Sequence, residues 1–278
     1  MLATACKLPL DEASVVMAQA APPVDLEALG AQYPGQSLEP LRLAMADGTA
    51  LHGLHARRGD AIATVLYFGG NGYTLGHFAG QTLAMYDGLP VNLVLVDHRG
   101  YGASEGVPSV AALGSDALQV YDQVRGDPVL GALPVLVHGH SLGSLMAGQV
   151  AAHRRLAGLV LESSVTDTAQ WAGHLRSRQA WWFRLFVREL VPIGALAGQG
   201  NATVAKRLDE PVLIVAGEQD SLTPPGFSRE LHEAVPAAVW HRLLVVPGRG
   251  HQDAARTPAF REAMRELLVV ALMPAAAH

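Results

Sequence analysis

The sequence has little cysteine and little charge, and each scarcity excludes a class of protein. Its single cysteine, Cys6, cannot form an internal disulfide, and no Cys-x-x-Cys pair is present to bind zinc or act as a redox site. Charged residues make up 16% of the 278 residues, the formal net charge is −5, and no basic run is longer than two residues. This distribution lacks the positive footprint of a nucleic-acid-binding protein. We therefore expect no nucleic-acid partner.

Long apolar runs are also missing. The longest candidate, Leu267–Met273, is about a third of the roughly 20 residues that span a bilayer, so no transmembrane segment is expected. The small residues before Cys6 are similar to a lipoprotein cleavage site, but the charged and apolar regions of a signal peptide are absent. We expect a cytoplasmic protein. Export, or a lipid anchor on Cys6, is the alternative if the true start lies upstream.

What the sequence does contain is enough aliphatic material for one large core. Half of the residues are hydrophobic and the mean hydropathy is +0.21, which excludes disorder for the bulk of the chain. Residues 1–38 read as a variable leader, with a weak helical pattern over Leu10–Ala20 and breakers at Pro22-Pro23 and Pro34-Gly35. Residues 39–278 are expected to form the main domain.

Within that domain, segments of strand length alternate with segments of helix length. The eight predicted strands lie near Leu41–Met45, Ala50–Ala56, Ile62–Phe68, Val91–Val96, Val135–Val137, Leu159–Leu161, Val212–Val215 and Leu243–Val246. The predicted helices lie near Phe78–Asp87, Val110–Arg125, Ser144–Arg155, Phe227–Val235 and Pro258–Leu272. The first two strands are predicted to pair as an antiparallel hairpin across Asp47-Gly48, and the later, continuously apolar strands to be parallel. This order predicts an α/β fold, a doubly wound, mostly parallel eight-stranded sheet with helices on both faces.

One connection is much longer than the usual two to six residues. Residues 166–208 are rich in aromatic side chains, and we predict that they form an inserted helical cap. Trp181 and Trp182 are predicted to contact substrate over the site. Packing of these aromatic residues between cap and core is the alternative interpretation.

The strongest chemical motif is Gly139-His140-Ser141-Leu142-Gly143, which follows a short apolar strand and precedes a helical segment. Gly-x-Ser-x-Gly in that context is typical of a nucleophile on a sharp strand-to-helix turn, where a β-carbon on either flanking glycine would collide with backbone. Ser141 is therefore the predicted nucleophile. His140 is expected to point differently from the serine and is predicted to form a wall of the pocket or to pack against its neighbours. A metal pair of His138 with His140 is unsupported, because no further ligand follows at suitable spacing.

A serine hydroxyl needs a base within hydrogen-bond reach and a third group that orients the base. Asp220 follows the strand Val212–Val215, and His251 follows the last strand, so both are expected at the same sheet edge as Ser141. Glu162 and Glu218 are rivals for the acid, because each also lies near the end of a strand.

The developing oxyanion requires preorganised donors. The N–H of Leu142, at the start of a helix, is one predicted donor. The N–H of Asn71, in the loop Phe68–Tyr73, is the other, and Gly70 in that loop is predicted to contact substrate. The loop lacks the glycine patterns of nucleotide-binding proteins.

At this point the sequence resembles the α/β-hydrolase superfamily over roughly Leu41–Leu272, and within it the small-cap serine hydrolases of the serine-aminopeptidase-like group, which includes protein depalmitoylases. The segments that carry the resemblance are Tyr67–Gly72, Asp97–Gly106, Gly139–Gly143, Leu161–Ser164 and Asp220–Pro225. The resemblance implies a Ser141–Asp220–His251 triad and an oxyanion hole at the backbone of Asn71 and Leu142. Many relatives have His-Gly before the oxyanion residue, whereas this chain has Gly69-Gly70, so the loop must be braced by other hydrogen bonds.

The predicted function is hydrolysis of a small-molecule carboxylic ester or thioester through an acyl-enzyme, which requires no metal or organic cofactor. An aminopeptidase and an acyltransferase on the same fold are alternatives. A non-catalytic binding module is the alternative from a different class.

Overall fold

A computed structural model of the chain describes residues 6–273. Its strands are β1 (Cys6–Leu10), β2 (Ser37–Ala44), β3 (Ala50–Arg57), β4 (Ala63–Phe68), β5 (Val91–Val96), β6 (Val135–His140), β7 (Gly158–Glu162), β8 (Val187–Pro192), β9 (Val212–Gly217) and β10 (His241–Val246). Its helices are α1 (Leu26–Gln32), α2 (Leu75–Met85), α3 (Val110–Gly126), α4 (Leu142–His153), α5 (Thr168–Ser177), α6 (Trp181–Phe186), α7 (Ala202–Ala205), α8 (Pro225–Ala234) and α9 (Pro258–Ala271). Short 3-10 turns occur at Glu12–Ser14 and Gly194–Leu196.

The main sheet has eight strands in the order β10-β9-β7-β6-β4-β5-β3-β2. The pairs β2·β3 and β3·β5 are antiparallel, and the other pairs in this sheet are parallel. The predicted doubly wound sheet with an antiparallel start is therefore confirmed. Burial explains why the sequences of the parallel strands are almost continuously apolar. β4 and β5 are buried along their whole length, as expected for strands that are covered on both faces.

Two hydrophobic layers cover the faces of the sheet. One contains buried side chains of α3, α4 and α8, and the other contains those of α2 and α9. With both faces covered, the loops at the carboxyl ends of the parallel strands remain available for a site.

The structure differs from the sequence-based prediction at the leader and the cap. Residues 10–20 contain no α-helix, only the end of β1 at Leu10, the 3-10 turn at Glu12–Ser14 and a single β-bridge from Gln19 to Tyr101, so the weak helical pattern predicted there is wrong. The leader also contributes β1, which pairs in parallel with β8 of the cap, so the cap is not purely helical. Tyr33, just after α1, donates a hydrogen bond from its hydroxyl to the Gly80 carbonyl, and the leader is thereby attached to the main domain.

Candidate active site

The turn between β6 and α4 holds Ser141 in an unusual backbone conformation. Its φ is 52° and its ψ is −117°, in a region that non-glycine residues rarely adopt. The flanking glycines make the turn possible, because a β-carbon on Gly139 would lie 2.3 Å from the Gly143 carbonyl oxygen. One on Gly143 would lie 2.1 Å from the Phe68 carbonyl oxygen. Ser141 is therefore presented at the end of the strand by close backbone packing.

His251 lies in the loop after β10 and contacts Ser141. Its Nε2 is 2.9 Å from Ser141 Oγ, and its Nδ1 is 2.8 Å from Asp220 Oδ2. Three side chains that are 31 to 110 positions apart in the sequence thus form one hydrogen-bonded chain. Asp220 is 3% exposed, whereas the hydroxyl and the imidazole are partly accessible.

The environment of Asp220 favours its carboxylate form. The backbone N–H groups of Leu222 and Thr223 donate to Oδ1, both at 2.9 Å, and the Thr223 hydroxyl donates to Oδ2 at 2.8 Å. Burial raises the pKa of Asp220, but the hydrogen bond and charge of His251, together with these Thr223 bonds, lower it overall to about 2. Asp220 is therefore ionised at neutral pH.

The rival carboxylates lie elsewhere. Glu162 is fully buried, accepts a hydrogen bond from the Ala255 N–H at 3.1 Å and lies 3.2 Å from Nε2 of His138. Glu218 accepts a hydrogen bond from the Gly248 N–H at 3.0 Å. The structure thus pairs Asp220, and neither rival, with Nδ1 of His251.

The backbone of His251 is held in place by two side chains. Its carbonyl oxygen accepts hydrogen bonds from Nε2 of His140 at 2.8 Å and from the Ser163 hydroxyl at 3.2 Å. Because a carbonyl only accepts, His140 carries its proton on Nε2 in this contact. Burial lowers the pKa of His140, and the Glu162 carboxylate opposes that shift only in part. Sequence reasoning missed Ser163, whose φ of 48° is positive like that of Ser141.

The loop after β4 approaches Ser141 from the other side. A β-carbon on Gly70 would lie 3.2 Å from Ser141 Cβ and 2.8 Å from His140 Nδ1, so the backbone of Gly70 packs directly against the turn. Leu142 is the first residue of α4, and the first N–H groups of a helix have no acceptor within that helix. The loop that carries Asn71 and the start of α4 therefore both border the turn that holds Ser141. That the N–H groups of Asn71 and Leu142 form an oxyanion hole remains a prediction.

Other side chains supply the bracing that Gly69-Gly70 lacks. His98 donates from Nε2 to the Gly69 carbonyl at 2.8 Å. The side chain of Asn71 donates to the Val15 carbonyl at 2.7 Å and accepts from the Tyr101 hydroxyl at 2.8 Å. The loop is thereby fixed by the leader and by the segment after β5.

Two cavities adjoin the site. An apolar cavity of about 320 Å³ lies between α4 and the cap, and its lining includes Ser141, Leu142, Leu145, Val165, Trp171, Leu175, Leu196 and Leu222. A more polar cavity of about 190 Å³ lies on the other side of the loop after β4, lined among others by Gly70, Asn71, His140, Glu162, Gln252 and Arg256.

Of the four residues predicted to contact substrate, two line a cavity beside Ser141 and two do not. Gly70 and His140 line the polar cavity, and the cap residues that line the apolar one are Thr168, Trp171, Leu175 and Leu196. Trp181 and Trp182 are 68% and 55% exposed and line neither of these cavities. The tryptophan that does reach Ser141's cavity is Trp171, on the first helix of the cap.

Between residues 6 and 273, no group of three or more His, Cys, Asp and Glu side chains is arranged to hold a metal ion. His138 contacts the Tyr86 hydroxyl through Nδ1, at 2.5 Å, and Glu162 through Nε2. In the same part of the chain, no helix is long and apolar enough to cross a bilayer.

Comparison with known proteins gives concordant matches. The family model for serine aminopeptidase, S33, matches residues 60–195, and the model for TAP-like protein matches residues 196–277. An uncharacterized protein of Mycobacterium tuberculosis is 32% identical over 210 residues, which cover 74% of this chain and 70% of that protein. The α/β hydrolase domain-containing protein WAV2 of Arabidopsis thaliana is 26% identical over 209 residues, covering 72% and 67% of the two chains.

Solved structures share the fold at low sequence identity. A Pyrococcus furiosus esterase superimposes with a TM-score of 0.68 and 15% identity, over 92% of this chain and 97% of that chain. This likeness concerns the arrangement of the sheet and helices.

Proposed function

The chain belongs to the α/β-hydrolase superfamily, and we propose that it is a serine hydrolase that cleaves carboxylic ester or thioester bonds of small molecules through an acyl-enzyme. The observation that carries the proposal is the chain of contacts from Asp220 through His251 to Ser141, with separations of 2.8 and 2.9 Å. Both separations lie within the range in which a proton can pass between nucleophile and base.

In the acylation step, Ser141 Oγ forms a bond to the carbonyl carbon and its proton passes to Nε2 of His251. The carbonyl electron pair moves onto oxygen, and we expect the backbone N–H groups of Asn71 and Leu142 to donate to that oxyanion. When the bond to the leaving alcohol or thiol breaks, the proton on Nε2 passes to the leaving group. Asp220 stabilises the imidazolium that exists between these two events.

In the deacylation step, water attacks the acyl-enzyme by the same order of proton transfers. His251 removes a proton from water as the water oxygen attacks the ester carbonyl, and it returns the proton to Ser141 Oγ when the acyl–oxygen bond breaks. The acid is released and the starting arrangement is restored. Every proton transfer uses the same imidazole nitrogen, so the position of His251 is central to the mechanism.

The apolar cavity supports an apolar acyl group. It includes Ser141 itself, and its other walls are mainly aliphatic and aromatic side chains, such as Leu145, Leu175 and Trp171. A volume of about 320 Å³ falls at the lower end of the range for small-molecule sites. We therefore expect acyl chains of moderate length to be preferred over very short or very long ones.

Turnover of p-nitrophenyl esters of increasing acyl length tests the proposal. Ser141→Ala removes the attacking oxygen, and we expect kcat to fall by at least about 10⁴-fold. Ser115→Ala, at an exposed position on α3, is the matched control and keeps wild-type turnover. Circular dichroism verifies that both variants are folded, and unchanged turnover in folded Ser141→Ala would overturn the proposal.

An aminopeptidase is the second candidate, because the matching family model is that of serine aminopeptidase, S33. The polar cavity, with a carboxylate from Glu162 and a guanidinium from Arg256 in its lining, could hold a peptide terminus. The ratio of kcat/KM for aminoacyl p-nitroanilides to that for p-nitrophenyl esters separates the two. A ratio above one would favour the aminopeptidase.

A further inference from the structure

The cap carries large apolar side chains that are mostly exposed. In α6, the side chains of Trp181, Trp182, Leu185 and Phe186 are 55 to 68% exposed, and none of the six residues of the helix is buried. We call these four residues the aromatic patch. Contiguous large apolar residues on a surface mark an interaction site more often than chance exposure does.

Four arginines lie close to the aromatic patch in the sequence. Arg176, Arg178, Arg184 and Arg188 all lie between positions 168 and 188, a stretch that contains no acidic residue. Among residues 6–273, none of the four lies within ion-pair distance of a carboxylate. The next acid along the chain, Glu189, is paired with Lys7 at 2.6 Å. The face is thus aromatic and positive on a protein of net charge −5.

We propose that the aromatic patch and its arginines dock the cap onto the surface of an anionic lipid bilayer. Tryptophan and arginine suit that environment, because indole rings partition to the membrane interface and guanidinium groups on long stems reach the headgroups. Each basic residue near an anionic leaflet adds to binding. The association is peripheral, since no helix between residues 6 and 273 could cross the bilayer.

Charge argues against a second copy of this chain as the occupant. A two-fold dimer places the same surface on both sides of the interface, so four arginines would face four arginines.

The patch is connected to the apolar cavity. α5 contributes Trp171 and Leu175 to that cavity, and Arg178, which follows α5, donates a hydrogen bond to the Ser221 carbonyl. The neighbouring Leu222 is 38% exposed and lines the same cavity. Docking through the cap would therefore bring the rim of the cavity close to the lipid.

Co-sedimentation with lipid vesicles tests the proposal. We expect the protein to bind vesicles of phosphatidylcholine that contain phosphatidylglycerol, to bind pure phosphatidylcholine much more weakly, and to release as salt is raised. Trp181→Ser with Trp182→Ser should weaken binding to anionic vesicles by at least about tenfold. Arg184→Gln with Arg188→Gln should weaken it by about fivefold for each arginine removed.

The matched control is Val269→Ser with Arg265→Gln on α9, which removes an exposed apolar residue and an exposed arginine far along the chain from the cap. It should bind as the wild type does, and so should Ser141→Ala, because docking does not depend on the proposed catalysis. All variants should keep the wild-type melting temperature. Absence of wild-type binding to anionic vesicles would overturn the proposal. So would equal loss in the α9 control, or a dimer in analytical ultracentrifugation that dissociates when the patch is changed.

Discussion

The loops at the carboxyl ends of the main sheet and the cap above them meet at one cavity but are constructed differently. In the loops, the polar groups of Ser141, His251 and Asp220 are joined to one another by short hydrogen bonds. In the cap, the tryptophans of α6 are mostly exposed, and Arg176 donates to the backbone carbonyls of Val187 and Arg184. One region is built for fixed geometry, and the other presents side chains outward.

Charge separates the two regions as well. Residues 166–208 contain six basic and two acidic residues, whereas the rest of the chain contains 14 basic and 23 acidic residues. The cap is therefore a positive insertion in a negative domain. The two regions therefore differ in net charge as well as in the exposure of their aromatic side chains.

The largest expected effect on stability comes from replacing a glycine by alanine, once in the main domain and once in the cap. Gly143→Ala places a β-carbon 2.1 Å from the Phe68 carbonyl oxygen, and the backbone has little room to move, so we expect a loss of more than about 3 kcal/mol of unfolding free energy. Gly173→Ala in α5 meets nothing within 4 Å and should stabilise the protein by about 0.5–1 kcal/mol, because alanine favours a helix. Urea denaturation measures both. A similar change in unfolding free energy for Gly143→Ala and Gly173→Ala would contradict the idea that the loops of the main sheet are packed more rigidly than the cap.

Acid should weaken the main domain through Asp220. Its pKa in the folded protein, about 2, lies below the value of about 3.9 in an unfolded chain. The ionised carboxylate therefore stabilises the fold above about pH 4, and this contribution, about 2 kcal/mol, is lost as the pH falls from about 4 to about 2. The cap holds no comparable group, since its carboxylates, Asp167 and Glu189, are not buried.

Urea denaturation of wild type and Asp220→Asn at several pH values between 5 and 2 measures this contribution. The variant should be less stable at pH 5, and the two proteins should converge as the pH is lowered. Thr223→Val removes one hydrogen bond to the Asp220 carboxylate. Its unfolding free energy should depend on pH less steeply than that of wild type and more steeply than that of Asp220→Asn. Parallel curves for wild type and Asp220→Asn would show that the pairing with His251 does not stabilise the fold.

Sequence patterns predicted the main sheet well, because the information is local. Apolar runs of strand length, a glycine-flanked serine and polar residues just after strands are all signals within a few positions of one another, and the parallel order then brings their ends together. Ser141, Asp220 and His251 could be predicted to meet for this reason. That they act as a triad remains a prediction.

The parts that sequence reasoning missed depend on distant contacts. Nothing near Cys6–Leu10 predicts its parallel pairing with Val187–Pro192, which is set by where the cap folds. The exposure of Trp181 and Trp182 could not be predicted either, since an aromatic-rich segment of six residues is equally compatible with a buried or an exposed helix. Ser163 gave two weak signals, its place close to a predicted strand end and its position in the segment Leu161–Ser164 that carries the family resemblance.

The smallest expected effect is on kcat and comes from removing a single serine hydroxyl in each region. Ser163 donates to the His251 carbonyl at 3.2 Å, and Ser177 in the cap donates to the His174 carbonyl at 2.7 Å. If the main domain fixes the position of the imidazole, Ser163→Ala should lower kcat for a soluble ester by about three- to tenfold with KM nearly unchanged, because one of the two side-chain hydrogen bonds to the His251 carbonyl is removed. Ser177→Ala should leave both constants unchanged, although it removes the shorter hydrogen bond. A fall in kcat in a variant that keeps the wild-type circular dichroism spectrum would assign the effect to the hydroxyl. A rise in KM alone would show that Ser163 shapes the cavity and does not position the base.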